Sequence, residues 1–509
     1  MAIFEGAGEA RDKRETVTVP PEKLAYRGRQ YTVPVGLFIN NEFVQSVSGK
    51  KFPTVNPATE EPILEFYEGD ASDVDIAVSA ASAAFAEWSK VAPATRGLLL
   101  AKLADRIEAN AEELAELESL GNGKPKSVAL QADLPLTVAT FRYYAGWSDK
   151  IVGKVVDTSP DFHTYTRHEP IGVVGQIIPW NFPLLMLAWK IAPALACGNT
   201  IVLKTSEKTP MTALKIAELI VDVGFAPGVV NIISGYGPTA GHAIATHKDI
   251  HKVAFTGSTA SGKKVAVAAA ESNMKKVTME LGGKSPNIIF PDADLDQACQ
   301  SAFMGIFFNC GQCCCAGSRV FVHEKIYDAF IAKFKALMDR SCVGDPFDSD
   351  TTVGPIVDKL QFDRVSNYIK AGIAEGASVE HTASKPRKRR GYFIAPTLFT
   401  NVKDEMGIAQ EEIFGPVVCV LKFSRADEVI KRANATTYGL AAAVHTKDLQ
   451  TAIKMTNELQ AGTVWVNCYN VFNTAMPFGG YKQSGVGREL GEYALSEYTQ
   501  VKSVVMKVA

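Results

Sequence analysis

The sequence predicts an α/β fold built on a parallel, doubly wound sheet. Three observations carry this. Between residues 171 and 283 short apolar runs alternate with helical patterns, and a second such series follows from Asn287. Strands that alternate with helices pair in parallel, because each helix crosses back over the sheet. The third is length: 509 residues, at about 100–200 per domain, allow two or three domains.

Residues 1–35 read as a poorly ordered arm. Ser72 and Asp75 are spaced as a capping box, and Val74, Ala77, Val78, Ala81 and Phe85 follow on one helix face. Leu99, Leu103 and Ile107 predict a second helix; Leu114 and Leu117 predict a third, stopped by Gly121, Gly123 and Pro125. In the alternating stretch, 172–178, 200–204, 229–233, 253–256 and 277–281 are predicted strands. Thr209 and Pro210 read as N-cap and first residue of a helix reaching Val223. Further helices are predicted from Pro238 and over 262–270. The second series has strands at 287–290, 320–322, 417–423 and 463–466, and helices at 295–308 and 326–338.

The formal net charge of −2 gives no electrostatic reason to expect nucleic acid. The one basic run, 385–390, reads as a solvated loop tip rather than a binding patch. No apolar run approaches the ~18 residues of a membrane span. The first twenty residues mix Glu5, Glu9, Asp12 and Glu15 with Arg11, Lys13 and Arg14, which suits neither a transit peptide nor a secretory signal. The expectation is a cytoplasmic protein, or a mitochondrial one whose leader has been removed. The odd number of cysteines, 9, argues for reduced thiols rather than a disulfide framework.

Five constellations could carry chemistry. Gly311-Gln312-Cys313-Cys314-Cys315 follows an apolar helix. A turn near a helix end can give a thiol both exposure and a lowered pKa, yet the segment reads equally as buried structural cysteines. Three consecutive residues should project in different directions, which disfavours a metal. Glu280 closes an apolar strand before two glycines, where desolvation would raise its pKa toward that of a general base; a strand-end acid facing water is the equal alternative. Gly257 and Ser258, between strand and helix, and Gly237 at an earlier strand end could admit phosphate oxygens, or be ordinary turns. Asn181 could donate to an oxyanion or to its own backbone. Phe182, Leu185, Met186 and Trp189 share a helix face that reads as core before channel. Lys204 and Glu207 at a strand end suit ribose hydroxyls, and the acid disfavours a 2′-phosphate; a surface ion pair is the alternative.

Taken in order, Pro179–Pro183, Phe255–Ser258, Glu280–Pro286, Gly311–Cys315, Glu411–Pro416 and Pro477–Lys482 resemble the aldehyde dehydrogenase superfamily, from about Leu37 to Val504. The likeness is greatest to its NAD-dependent cytosolic and mitochondrial members, tetramers that act on aliphatic aldehydes. The resemblance implies a Rossmann-like cofactor domain (36–147 and 171–282), an α/β catalytic domain (283–482) and a small β oligomerisation element (148–170 and 483–509). The tail 493–508 could then add a strand to a neighbouring subunit. It implies Cys314 as nucleophile, Asn181 and the Cys314 N–H as oxyanion donors, and Glu280 as the base that activates water. NAD would be held by Ile178, Trp180, Lys204, Glu207, Gly237, Gly257, Ser258, Glu412 and Phe414. Leu136, Phe182, Met186, Trp189, Phe308, Phe472 and Phe478 would line a channel for an apolar, small-to-medium aldehyde. The partners implied are that aldehyde and three further copies of the chain, with no nucleic acid, membrane or metal.

Cys310 adds a nearby fourth thiol, open to an off-path disulfide. Asn470 stands where relatives often place an acid. Two other classes compete. A non-catalytic module is disfavoured because Asn181, Glu280 and Cys314 are all present; a cysteine hydrolase lacks a recognisable histidine partner.

Overall fold

The structure is a computed structural model that describes residues 17–383 and 390–509. The larger sheet runs, across its width, Gly485–Val486, Lys276–Glu280, Lys252–Thr256, Val173–Ile177, Thr200–Thr205, Val230–Ser234, Leu37–Ile39 and Glu42–Val44. Its five central strands are parallel and its outer three antiparallel to their neighbours. All but one of the central strands are buried along their whole length, as expected for a sheet covered by helices on both faces. Val173–Ile177 is the first central strand in the chain, yet it lies between the second and the fourth. The winding therefore reverses there, and a crevice opens at the carboxyl end of such a strand.

The second sheet runs Ser378–Thr382, Thr397–Thr400, Val417–Phe423, Arg319–His323, Pro286–Ile289, Ala441–His445 and Thr463–Val466. It is parallel except for Ser378–Thr382. Segment 281–285 leaves the carboxyl end of Lys276–Glu280 and enters Pro286–Ile289 at its amino end. The carboxyl edge of one sheet thus faces the amino edge of the other.

Four expectations change. Residues 17–35 are not a disordered arm. Glu22–Tyr26 and Arg29–Val33 form an antiparallel hairpin that buries Leu24, Tyr31 and Val33. Arg29 and Tyr31 anchor it on the buried Glu116 carboxylate. Residues 1–16 lie outside the described residues.

The first helix, Ala71–Trp88, starts before the expected cap. Asp70 accepts from the Ser72 N–H, and Asp73 accepts from the Asp70 N–H, each at 2.9 Å. Asp73 wins over Asp75 because its buried carboxylate also takes the Val47 N–H, tying the helix to the preceding loop. Met211–Val223 likewise starts without a side-chain cap, and Thr209 Oγ1 has no partner.

The tail strand Thr499–Lys507 pairs along one edge with Phe162–Pro170 of its own chain, and its other edge carries no strand among the described residues. Residues 485–486, expected in the small β element, instead edge the first sheet. Of the basic run only Arg390 is described, paired with Glu61 at 2.8 Å; 385–389 lie outside. No helix among the described residues is long and apolar enough to cross a membrane.

Candidate active site

A cavity of about 720 Å³ opens where the two sheets meet. Its thiol wall is made by an unusual backbone. After Leu295–Phe307 the chain turns through Asn309 (φ 49°), Cys310 (φ 56°) and Gly311 (φ 68°), all left-handed. A non-glycine residue held there costs about 1–3 kcal/mol. Asn309 fixes the turn by donating from Nδ2 to the carbonyls of Asn181 (3.0 Å) and Gln312 (3.2 Å). Gly311 is sterically required, because a Cβ would lie 2.1 Å from the Gly415 carbonyl oxygen.

This turn brings the sulfurs of Cys313, Cys314 and Cys315 within 4.8 Å of one another. They converge rather than diverge as expected, so the trio has the spacing to hold a thiophilic ion. Cys314 is the partly exposed member; Cys313 and Cys315 are buried. The lowered pKa falls on a different sulfur from the exposed one. S–H donation from Cys314 and Cys315 holds the Cys313 thiol well below its ordinary value, and bonding to Cys313 raises that of Cys314. The trio favours one thiolate and opposes a second. Cys310 is turned away, donating to the Gly354 carbonyl at 3.0 Å within the second core, which removes it from the expected thiol cluster. Asn470, also left-handed (φ 55°), accepts from the Cys315 thiol at 3.4 Å.

Asn181 follows the switch-point strand. Its Nδ2 donates to the Gln312 carbonyl at 3.0 Å, which aims the amide toward the cysteines and leaves a second N–H. Glu280 ends Lys276–Glu280 at 4% exposure, with Oε2 unpartnered. Burial, then repulsion from Glu489, raises its pKa well above the ordinary value. Glu412 also faces the cavity, accepts from the Gly283 N–H at 3.1 Å and is pushed up to about 7 by burial. Phe414 (φ 60°) sets its ring edge-on to Trp180 at 5.3 Å.

Leu136, Phe182, Met186, Trp189, Phe308, Phe472 and Phe478 all line the cavity. Phe182 stacks on Phe308 at 5.9 Å, and Trp189, Phe472 and Phe478 form mutual ring contacts. The helix that carries Met186 and Trp189, Pro183–Ala196, is buried on every side, so one face serves the channel while the rest serves the core. Trp180, Gly257, Ser258, Glu412 and Phe414 also line this cavity. Ile178, Lys204, Glu207 and Gly237 do not; they flank it along the carboxyl ends of the first sheet. Ser258 N-caps Thr259–Asn273. Lys204 is buried, donates to the Thr205 and Gly235 carbonyls at 2.6 Å each, and has Glu207 at 4.0 Å. It is therefore not a surface ion pair, and burial lowers its pKa to about 8.

Sequence reasoning missed Glu489, which lines the cavity, pairs with the buried Lys190 and repels Glu280. A lone lysine inside an apolar helix was the available signal, since a fully buried ammonium needs a partner. It also missed Tyr469, whose hydroxyl donates to the Cys315 carbonyl (2.7 Å), and Gln361, which donates to the Phe414 carbonyl (2.9 Å).

The aldehyde dehydrogenase family profile matches residues 43–504. An aldehyde dehydrogenase of Davidiella tassiana is 57% identical over 480 residues, 94% of this chain and 96% of its own. The mitochondrial aldehyde dehydrogenase of Homo sapiens is 57% identical over 475 residues, 93% of this chain and 92% of its own. Among solved structures, the NAD+ complex of a Bacillus cereus aldehyde dehydrogenase superposes with a TM-score of 0.92 at 53% identity, covering 93% of this chain and 97% of the other.

Proposed function

This chain belongs to the aldehyde dehydrogenase family, and from that premise we propose that it oxidises aldehydes to carboxylic acids, with reduction of NAD, through a thioester on Cys314. The carrying observation is the convergence, in one apolar cavity, of a partly exposed thiol, an amide with a free N–H and a buried carboxyl of raised pKa.

The residues fit a dinucleotide. The N-terminus of Thr259–Asn273, capped by Ser258, favours phosphate. Gly237 has open space where a Cβ would stand. Glu207 and the buried Lys204 suit ribose hydroxyls, and the acid disfavours a 2′-phosphate. Ile178, Trp180, Gly257, Glu412 and Phe414 would complete the cleft. NAD, when bound, supplies the acceptor for the hydride that leaves the substrate carbon.

The Cys314 thiol, the partly exposed one of the three, gives its proton to solvent, and the Cys314 sulfur adds to the aldehyde carbon. Asn181 Nδ2 and the Cys314 N–H hold the resulting oxyanion as its charge develops, which lowers the barrier. When the carbonyl re-forms, a thioester remains on Cys314. Glu280 removes a proton from water, the water oxygen adds to the thioester, and acid and free sulfur separate. The ring-lined channel suits an apolar aldehyde of small to medium size. An odd number of cysteines, nine, suits a reducing compartment such as the cytoplasm. The exposed valines 501 and 505 on Thr499–Lys507 suit burial in a homotetramer.

The test is NADH formation across an aldehyde panel, with Cys314→Ala in parallel. The wild-type chain should prefer apolar aldehydes, and the variant should lose at least about 10⁴-fold in rate. Full turnover without Cys314 would overturn the mechanism; oxidation of charged aldehydes alone would overturn the substrate class.

A further inference from the structure

Asn181 is held at its backbone as well as its side chain, and one of the holding groups comes from a helix end 59 residues earlier in the chain. Helix Ala111–Asn122 ends in a turn at Gly123 (φ 86°). Asn122, wholly buried, donates from Nδ2 to the carbonyl oxygens of Trp180 (2.6 Å) and Asn181 (3.3 Å). Its amide cannot flip without loss, because Oδ1 accepts the Lys124 N–H at 3.2 Å.

The turn itself has no freedom to slide. A Cβ on Gly123 would meet rings of Pro355 and Pro57 at 2.8 Å. Lys124 is fully buried, paired with Asp133 and 3.8 Å from Glu118. Its ammonium lies 4.2 Å from the centre of the Phe182 ring. One turn therefore grips three consecutive residues: Trp180 and Asn181 by their carbonyls, Phe182 by its ring face. Asn122 is not on the cavity wall, so any effect on the reaction passes through what it holds.

We propose that Asn122 is a positioning residue for the oxyanion donor: its amide fixes the Trp180–Asn181 backbone so that the Asn181 side chain meets the developing charge. This rests on the role given to Asn181 above. Misplacing a catalytic group by about 1 Å can cost about a hundredfold in rate.

The experiment is a double-mutant cycle on the full chain, read by single-turnover NADH formation. Asn122→Asp keeps the volume and removes the N–H donors; Asn181→Ala removes the oxyanion donor. Asn122→Asp should slow the single-turnover rate by about 10- to 100-fold while the KM for NAD stays within about twofold of wild type. In the Asn181→Ala background the same substitution should change the rate by less than about twofold, because groups acting through one another are not additive. Multiplicative effects overturn the proposal. If Asn181→Ala alone leaves the rate unchanged, the oxyanion assignment fails and the proposal with it. If Asn122→Asp does not fold, Asn122→Ser, which retains one donor, enters the same cycle: independence from Asn181 overturns, and coupling supports.

Discussion

The two edges that meet at the cavity carry their functional groups in different ways. On the first sheet, Thr256 and Glu280 end regular strands, and Ser258 caps a helix at φ −69°. On the second, Asn309, Cys310, Phe414 and Asn470 all stand at positive φ. The groups proposed for proton and phosphate chemistry are thus placed by relaxed strand ends, whereas the thiols and the Phe414 ring are placed by backbone strain. A strand end fixes a direction with no local penalty. The direction the cysteines need is not on offer from regular structure, so surrounding contacts must hold the turn. The same division shows in two acids. Glu412 gains the Gly283 N–H, whereas Glu280 keeps one oxygen without a partner, as a group reserved for water would.

After Cys314→Ala, the largest effect should come from the relaxed edge. Glu280→Gln removes the proposed base and should lower kcat by about 10²–10⁴-fold, with an acylated chain accumulating in intact-mass spectra. Because the Glu280 pKa is raised, the rising limb of wild-type kcat against pH should lie above the ordinary carboxyl value of 4.5, and the variant should lose that limb. Stability runs the other way. An acid whose folded pKa is raised keeps its proton longer in the folded state, so stability is full below 4.5 and falls as pH rises. Glu280→Gln should therefore melt progressively higher than wild type as pH rises above 4.5, until the folded-state acid ionises as well. A flat difference would place Glu280 in water instead.

On the strained edge, Gly311→Ala tests whether the turn, rather than the cysteines alone, makes the nucleophile. The added Cβ meets the Gly415 carbonyl at 2.1 Å and the position demands φ 68°. We expect a loss of about a hundredfold in kcat and a lower melting temperature, with the KM for NAD changed little. Wild-type kcat in a folded Gly311→Ala chain would show that the turn can be remade.

What the sequence disclosed follows the same line. The parallel strands were legible because burial on both faces makes them continuous apolar runs. The Gly311–Cys315 run, Glu280 and Asn181 could be singled out because each sits in a short local pattern, whereas the choice of Cys314 among the three cysteines came from the family resemblance alone. Convergence of the three sulfurs was not, since it depends on three left-handed residues of which only Gly311 is a glycine. Lys190 and Glu489 are 299 residues apart, and Asn122 reaches Trp180 across 58; no local spacing announces such pairs. The hairpin at 22–33 and the Asp70 cap were missed for another reason. Each competed with a pattern nearby, and a tertiary contact, Glu116 in one case and Val47 in the other, decided between them.

The smallest effect probes whether the relaxed edge owes anything to the far end of its supporting helices. Asp70 and Asp73 cap Ala71–Trp88 reciprocally, and neither residue touches the cavity. Asp70→Ala removes one half of that box and should cost about 1 kcal/mol, read as a small fall in melting temperature. It should leave kcat, and KM for aldehyde and NAD, unchanged, because Glu280 and Ser258 take their positions from strand pairing and a separate helix cap. Should kcat fall with the melting temperature, the carboxyl edge would be as dependent on distant supports as the cysteine turn is, and the contrast between the two edges would disappear.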